Sequence, residues 1–490
     1  MDRHFFGLQH VSSFVDARAF PWKAREANTS IMVLLFAGLL GGCATYEPFP
    51  LVPEDELVGL RSRTLDDYRI ERARSGAEAQ SDVELDLSDR LDELELVSLA
   101  LTLNPDLRAK RLEIGEAAAV LITAGIWPNP ELGADVRSGV SGVDGLAVDL
   151  DLLFALLRPE ERNARKAAAN AHLDLVRSEI AAEEQRLAAA VQRARLDILA
   201  GEQFLRLLEQ ESALRDRAAE MIRAQRDLGE ANEMAVALVE LERAGVQRGL
   251  RALQAELAER RRELNRIIGF PPTYALKISA SGQPIPFRIY EELEDEEVDR
   301  RLLAGHTALR AAAAKYQQAE QELRLSIARQ CPGLGLGPSR EREANGDTTL
   351  GLRFAFEIPL FDRNQGEIAE KRAARERVRA EYLALLHNAR AAAFDARAKL
   401  QRARAELEWQ EGETGLLIRR VEDLFESALK ARELTIFEWI AARDRILEAQ
   451  RALLEAIIQH ERMRIEFETA TGMPLARPPV QQAPEVQEGR

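Results

Sequence analysis

Two very long stretches without proline constrain the possible folds of this chain more than any other feature of its sequence. No proline occurs between Pro159 and Pro271 or between Pro359 and Pro474, so stretches of 111 and 114 residues are uninterrupted. Because a proline inside a helix removes a hydrogen bond and clashes with the preceding turn, these stretches can hold continuous helices. Apolar residues recur there at three- and four-residue spacing, which is typical of helices that pack as coiled coils. A helix of ~65 residues would reach ~100 Å, which is too long for a compact domain.

An internal repeat organises most of the chain. Leu107-Arg108 recurs as Leu309-Arg310 and Asn129-Pro130 recurs as Cys331-Pro332, each 202 residues later. Each copy is expected to contain a first helix, a β-hairpin and a long helical hairpin, and a linker at 270–295 joins the copies. The expected ranges are 89–269 for the first copy (helix about 89–124, β-hairpin about 131–155) and 296–474 for the second (helix about 296–329, β-hairpin about 333–358).

The long helices are expected to begin near residues 160 and 364 and to turn back at two tips. Gly can end a helix, and Asn or Thr can cap the next one. These residue types place the first tip at Gly229 and Asn232, and the second at Arg432 and Thr435. Each pair of long helices is therefore predicted to form an antiparallel hairpin whose tip lies far from the strands.

The two segments expected to form β-hairpins alternate apolar and polar residues with the period of two that is typical of strands. Strands with one apolar and one charged face match transmembrane β-strands, whose apolar face contacts lipid and whose polar face contacts water. The alternative is a pair of soluble hairpins that bury their apolar faces on a core. By alternation alone, the residues expected to face a water-filled lumen are Asp135, Asp149, Asp151, Arg353 and Glu357.

Four strands cannot close a barrel on their own. Open strand edges in hydrocarbon would leave backbone groups unpaired, each at a cost of several kcal/mol. Because small closed barrels start at about eight strands, spanning a membrane would require two or more copies of the chain. A cyclic ring is the usual solution for identical copies.

The N-terminal region has the organisation of a bacterial lipoprotein signal. Lys23 and Arg25 precede an apolar run of ten residues, which is too short to span a bilayer, and the small residues Gly41 and Gly42 follow it. Cys43 then stands where a bacterial lipobox carries the acylated cysteine. We therefore expect a signal peptide at 1–42, lipidation of Cys43, and a charged, partly extended tether at 43–88. Acyl chains anchor a protein to a membrane without a spanning helix.

The remaining composition argues against several other functions. A net charge of −15 without a basic stripe disfavours nucleic-acid binding. No catalytic motif is complete, and the histidines at 172, 306, 387 and 460 are too widely spaced for a paired metal-ligand motif. The sequence therefore predicts no enzyme activity, no cofactor and no bound metal. The Pro- and Gln-rich tail at 475–490 is expected to be disordered.

Taken together, the duplication, the Pro128-Asn129-Pro130 segment before the first β-hairpin and the run from Ile358 to Ile368 (IPLFDRNQGEI) resemble the outer membrane efflux protein family. The resemblance covers about 89–475 and points to TolC-like outer membrane factors of tripartite exporters. The lipobox and the PLFDRNQGEI run are most similar to the lipoprotein, CzcC-like members that serve heavy-metal resistance.

This resemblance implies a homotrimer with a helical α-barrel in the periplasm and a shared β-barrel of 12 strands in the outer membrane. The helical tips would contact a periplasmic adaptor protein, which would link the channel to an inner-membrane pump of the RND type. The pump would supply the energy, so the channel itself would be passive and would not be an enzyme. Glu438 falls where the family often places an acidic side chain at the periplasmic entrance, whereas Ala441 falls where a second acid would stand.

Two other functions remain open on the sequence alone. The same duct could serve type I protein secretion instead of metal or drug efflux. The chain could also be a lipid-anchored periplasmic coiled-coil scaffold whose hairpins never enter a bilayer.

Overall fold

The computed structural model of the chain describes residues 46–74, 90–138, 146–279, 285, 287, 293–331, 333–343, 346–431 and 436–474. They belong to two units, one that ends at Val58 and one that begins at Gly59. The first unit is described from Tyr46 and includes the start of helix α1 (Pro53–Arg61). All elements that follow belong to the second unit.

The second unit is mainly α-helical and carries one small antiparallel sheet, as the sequence predicts. Its first helix, α2 (Leu65–Arg74), precedes the first repeat. In the first repeat the elements are α3 (Glu93–Leu103), α4 (Pro105–Gly125), β1 (Glu131–Ser138), β2 (Leu146–Leu156), α5 (Pro159–Asp227) and α6 (Glu233–Ile268). In the second repeat they are α7 (Asp295–Gly305), α8 (Thr307–Ala328), β3 (Leu334–Arg342), β4 (Thr348–Phe356), α9 (Gln365–Trp409), a π-helical turn (Gln410–Thr414), α10 (Gly415–Ala431) and α11 (Ile436–Thr471).

The first helix of each repeat is in fact two helices, so the single helices expected over 89–124 and 296–329 are wrong. In the first repeat Asn104 ends α3, and its side chain accepts a hydrogen bond from the Leu107 N–H at 2.8 Å to start α4. Pro105 has no N–H, so the helix is interrupted there. In the second repeat His306 takes the equivalent position, and its Nδ1 accepts from the Leu309 N–H at 3.2 Å.

The long helices differ between the repeats. α5 is continuous over 69 residues and therefore about 100 Å long. In the second repeat the expected single helix is interrupted by the π-helical turn of five residues, after which α10 continues toward the tip. Such turns carry an extra residue within an α-helix.

Part of the linker between the repeats is packed into the core. Phe270, Ile278 and Phe287 are at most 5% exposed, and the Leu91 N–H donates to the Lys277 carbonyl at 2.8 Å. The tether expected over 43–88 needs correction, because α2 lies within it. The Tyr68 side chain on α2 is buried because it packs with the apolar residues of α3 and α5.

The ends of the two repeats are built alike. Gly269 and Gly472 follow the last helix of each repeat, with φ angles of 102° and 75° that favour glycine. A Cβ on Gly269 would lie 2.6 Å from the Leu103 carbonyl oxygen, and one on Gly472 would lie 2.2 Å from that of Gly305. In each repeat, therefore, the turn that ends the last helix packs directly on the end of the first. Among the helices that the structure describes, none combines the length and apolar content needed to cross a membrane.

Candidate channel wall

The four strands form one sheet in the order β1-β2-β3-β4, with every neighbouring pair antiparallel. The two predicted hairpins are therefore joined side by side through β2 and β3. β1 and β4 are the edges, and each has a strand neighbour on one side only within the described residues. Unpaired edges of this kind are available for pairing with another chain.

One face of the sheet is exposed and apolar except at one end of β3, where Arg340 and Arg342 lie on it. On β4 the side chains of Leu350, Leu352, Phe354 and Phe356 are between 64% and 80% exposed, and Leu132 on β1 is 73% exposed. A hairpin that buried its apolar face on its own core would show the opposite. A large exposed apolar patch on a folded protein marks a surface that contacts lipid or another protein.

The opposite face carries charge. The register pairs Asp135 with Asp149, and Arg353 Nη1 lies 2.6 Å from Asp151 Oδ1. Asp151 and Arg353 belong to β2 and β4, and β3 between them contributes Gly337 at the position opposite Arg353. Because glycine has no side chain, the two charged groups can meet across the middle strand.

Four of the five residues expected to line a lumen thus share this face. Glu357 is the exception, because β4 ends at Phe356 and Glu357 follows the strand as an exposed residue. Asp135 and Asp149 are like charges in directly opposed positions, an arrangement that is unfavourable in an isolated sheet. Arg137 offsets part of this repulsion, because its Nε lies 3.5 Å from Asp135 Oδ2.

The PLFDRNQGEI run proves to be a turn that fixes the start of α9. Asn364 has a φ of 60°, in the left-handed region that Asn adopts more readily than most residues. The Asp362 carboxylate accepts from the Asn364 N–H at 2.8 Å, and the Asn364 amide donates to the Ser326 carbonyl at 2.9 Å. The motif therefore joins the sheet to the long helix and to the end of α8.

The tips and the N-terminus are described only in part. At the first tip, Gly229 has a φ of 79° and Asn232 caps α6 by accepting from the Ala235 N–H at 2.9 Å. Arg432 and Thr435 of the second tip lie outside the described residues, as does Cys43. Glu438 lies exposed in the first turn of α11, next to that second tip.

A buried charged cluster, which sequence reasoning missed, connects the two repeats. Arg464 on α11 is 9% exposed, and it donates from Nε to Glu461 at 2.8 Å and from Nη1 to Glu468 at 2.6 Å. Its Nη2 lies 3.9 Å from Glu93 on α3, and Glu93 also lies 3.7 Å from Arg195 on α5. The spacing of three and four residues on α11 is visible in the sequence, but the meeting with Glu93 is not.

The charges of this cluster stabilise one another. Burial disfavours the charged form of Arg464, but Glu461, Glu468 and Glu93 outweigh it, so the pKa of Arg464 is raised. Burial likewise acts to raise the pKa of Glu461, but His460 and Arg464 outweigh it and the pKa is lowered. In Arg195 burial wins over the nearby carboxylates, and its pKa is lowered. Within the described residues, no group of three or more His, Cys, Asp or Glu side chains could hold a metal ion.

Comparison with known proteins shows which proteins have a similar sequence or fold. The chain is 23% identical over 290 residues to the cobalt-zinc-cadmium resistance protein CzcC of Cupriavidus metallidurans, an alignment that covers 59% of this chain and 68% of that protein. It superposes on CusC, a transmembrane-channel protein, with a TM-score of 0.60 at 17% identity over 81% of this chain and 97% of that one. It superposes on the outer membrane protein VceC of Vibrio cholerae with a TM-score of 0.62 at 18% identity, over 78% and 96% of the two chains. No family model matches the chain.

The fold is that of the outer-membrane channel proteins, mostly helical with few strands. The predicted resemblance to the TolC-like outer membrane factors is therefore confirmed as a likeness of fold.

Proposed function

We propose that this chain is a subunit of an outer-membrane efflux channel in a tripartite system, a passive conduit for substrates that an inner-membrane pump delivers through a periplasmic adaptor. The observation that carries the proposal is the sheet, which exposes an apolar face interrupted only at one end by Arg340 and Arg342, and which places ion-paired charges on the other face. This arrangement suits a wall between lipid and water. It disfavours the coiled-coil scaffold, because hairpins that never enter a bilayer would not need an exposed apolar face.

The open sheet edges support assembly into a ring. In hydrocarbon, the unpaired backbone groups of β1 and β4 would each cost several kcal/mol. Pairing β1 of one copy with β4 of the next removes both edges. Three copies would give a closed barrel of 12 strands, the number that the family resemblance implies.

The parts outside the sheet take their roles from this assembly. Cys43 would carry the lipid anchor in the outer membrane. The tips around Gly229, Asn232, Arg432 and Thr435 would face the adaptor, which would connect to an RND-type pump. Three copies of Glu438 would surround the periplasmic entrance and favour cations there.

The chemistry of a relative favours metal cations as cargo. CzcC is named for cobalt, zinc and cadmium resistance. The charged face of the sheet would serve such cations as a polar lumen surface. Deletion of the gene should then sensitise the cells to divalent metals, whereas loss of a secreted protein without metal sensitivity would favour type I secretion instead.

Reconstitution tests the channel itself. The protein purified in detergent should run as an oligomer that dissociates on heating, and it should give stable conductance in planar bilayers. As a control, a variant with Leu350, Leu352 and Phe354 changed to Ser keeps the charged face but loses the apolar one, and it should fail to insert. A wild-type protein that stays monomeric and never conducts would overturn the proposal.

A further inference from the structure

All four strands of the sheet are connected to long helices at the same end of the sheet. β1 follows α4 and β2 leads into α5, while β3 follows α8 and β4 leads into α9. The chain reverses at the opposite end, after β1 and after β3, and we call this end the turn end of the sheet. With the helices in the periplasm, as the proposed channel requires, the turn end lies in the outer leaflet of the membrane.

Two arginines stand on the apolar face at the turn end. Arg340 on β3 lies between Leu150 of β2 and Leu350 of β4, and Arg342 follows two positions later on the same strand. Residues two apart on a strand, and residues directly opposite each other on neighbouring strands, share one face of a sheet. Both arginines therefore lie on the face that carries Leu350, and both are exposed.

These two arginines lack the carboxylate partners that the arginines of the charged face have. On the charged face Arg353 Nη1 lies 2.6 Å from Asp151 Oδ1, and Arg137 Nη2 lies 3.5 Å from Glu341 Oε1. Within the described part of the chain, neither guanidinium on the apolar face makes an ion pair or a hydrogen bond. The sheet therefore leaves two cations on its apolar face for a partner outside the chain.

Strand pairing with a neighbouring copy does not cover these arginines. β3 already has β2 on one side and β4 on the other. The proposed ring closes through β1 and β4, so a second copy adds strands at the edges of the sheet and leaves the apolar face of β3 open. The surroundings of that face in the ring are the lipids of the membrane.

The height of the arginines along β3 places them in the outer part of the membrane. Arg340 and Arg342 are six and eight residues beyond Leu334, the first residue of the strand. At ~3.3 Å per residue these distances are ~20 Å and ~26 Å, and strand tilt shortens them by about a quarter along the membrane normal. Because the apolar band of a transmembrane barrel is ~25 Å tall, both arginines reach its outer part. From there a guanidinium can extend to the headgroups while its methylene groups stay among the acyl chains.

We propose that Arg340 and Arg342 bind a phosphate group of an anionic lipid in the outer leaflet. The planar guanidinium matches a phosphate with two parallel hydrogen bonds, and side chains two residues apart on a strand are ~7 Å apart, so both arginines can contact one phosphate. The acyl chains of the lipid lie along Leu350, Leu352 and Phe354, which are between 64% and 80% exposed. The inference rests on the proposed channel and adds a bound lipid to its outer surface.

Native mass spectrometry of the detergent-solubilised protein tests the role of the phosphate. The probes are lipid A in its phosphorylated form and lipid A from which the phosphates have been removed. The wild type should bind the phosphorylated form about tenfold more tightly, since charge-assisted hydrogen bonds to the phosphate are lost with the other form. Inorganic phosphate at the same concentration should not compete, because it has no acyl chains to lie on the apolar face.

Substitutions test the two arginines. The double variant Arg340→Gln and Arg342→Gln should lose the preference for the phosphorylated lipid, and the double lysine variant should keep part of it because the positive charges remain. The matched control is Arg137→Gln, because Arg137 pairs with Ala147, next to the residue opposite Arg342, but lies on the charged face. The control should keep the full preference. The glutamine variant and the control should both still conduct in planar bilayers, which shows that they are folded.

The outcomes separate this inference from the proposed function. A conducting wild type that binds both forms of lipid A equally, or that releases the lipid to inorganic phosphate, overturns the lipid site and leaves the proposed function standing. So does an unchanged preference in the glutamine variant, or an equal loss in the control. The comparison of the two lipid forms needs no substitution, so it remains decisive for a variant that does not fold. A wild type that never inserts into a bilayer overturns both.

Discussion

Replacing Arg464 by methionine should be among the most destabilising single changes in this chain. Arg464 donates two charge-assisted hydrogen bonds, at 2.8 Å to Glu461 and at 2.6 Å to Glu468, and Glu461 is 6% exposed. Methionine keeps much of the apolar stem but removes the guanidinium to which both carboxylates are hydrogen-bonded. Breaking a buried ion pair by removing one partner costs ~3–5 kcal/mol, so we expect the free energy of unfolding to fall by about that amount.

Denaturant unfolding of the detergent-solubilised protein, followed by circular dichroism, would measure the change. The combined variant Arg464→Met and Glu461→Gln removes both the cation and the more buried charge, and it should recover part of the loss because removing both partners is much less costly. A loss below ~1 kcal/mol for Arg464→Met, or no recovery in the combined variant, would refute the view that this cluster is held together by its charges.

Three further predictions concern other parts of the chain. Gly269→Ala should destabilise the protein, because its φ of 102° and the nearby Leu103 carbonyl oppose a Cβ; Gly115→Ala, with nothing within 4 Å, should instead stabilise α4 by ~1 kcal/mol in thermal unfolding. Because the pKa of Glu461 is lowered by folding, its ionised carboxylate stabilises the fold at pH values above ~4.3, the pKa of Glu in an unfolded chain. This stabilisation is lost as the pH falls through the pKa of Glu461 in the folded protein. A Glu461→Gln variant should therefore lose less stability than the wild type between about pH 6 and about pH 3, and equal losses would contradict this. Glu438→Gln should reduce cation preference in single-channel reversal potentials, and unchanged selectivity would exclude a dominant acidic ring.

Local patterns account for what the sequence could predict. Period-two alternation placed the strands and put Asp151 and Arg353 on one face, because side-chain direction in a strand depends only on position. The absence of proline likewise indicated α5 and α9. The Asn104-Pro105 break also had a visible signal, since Asn caps helices and Pro follows such caps. His306 had none, because histidine is a rare cap.

What the sequence could not predict depends on contacts between distant segments. Glu93 meets Arg464 only because α3 and α11 both pack on α5, and nothing near either residue in the sequence indicates the meeting. The buried linker is a similar case. Phe270 and Phe287 stand in a Pro-rich segment that looks like a loop, and they are buried because they share one core cluster with residues of both repeats.

The π-helical turn at Gln410–Thr414 has a consequence for the symmetry of the assembly. One added residue rotates everything beyond it by about 100° around the helix axis. The side chains that α10 turns toward neighbouring helices and solvent therefore differ from those that an uninterrupted α9 would place there. An ancestral duplication would have made two equivalent hairpins, and a single inserted position is enough to give one of them a distinct outer half without altering the half that joins the sheet.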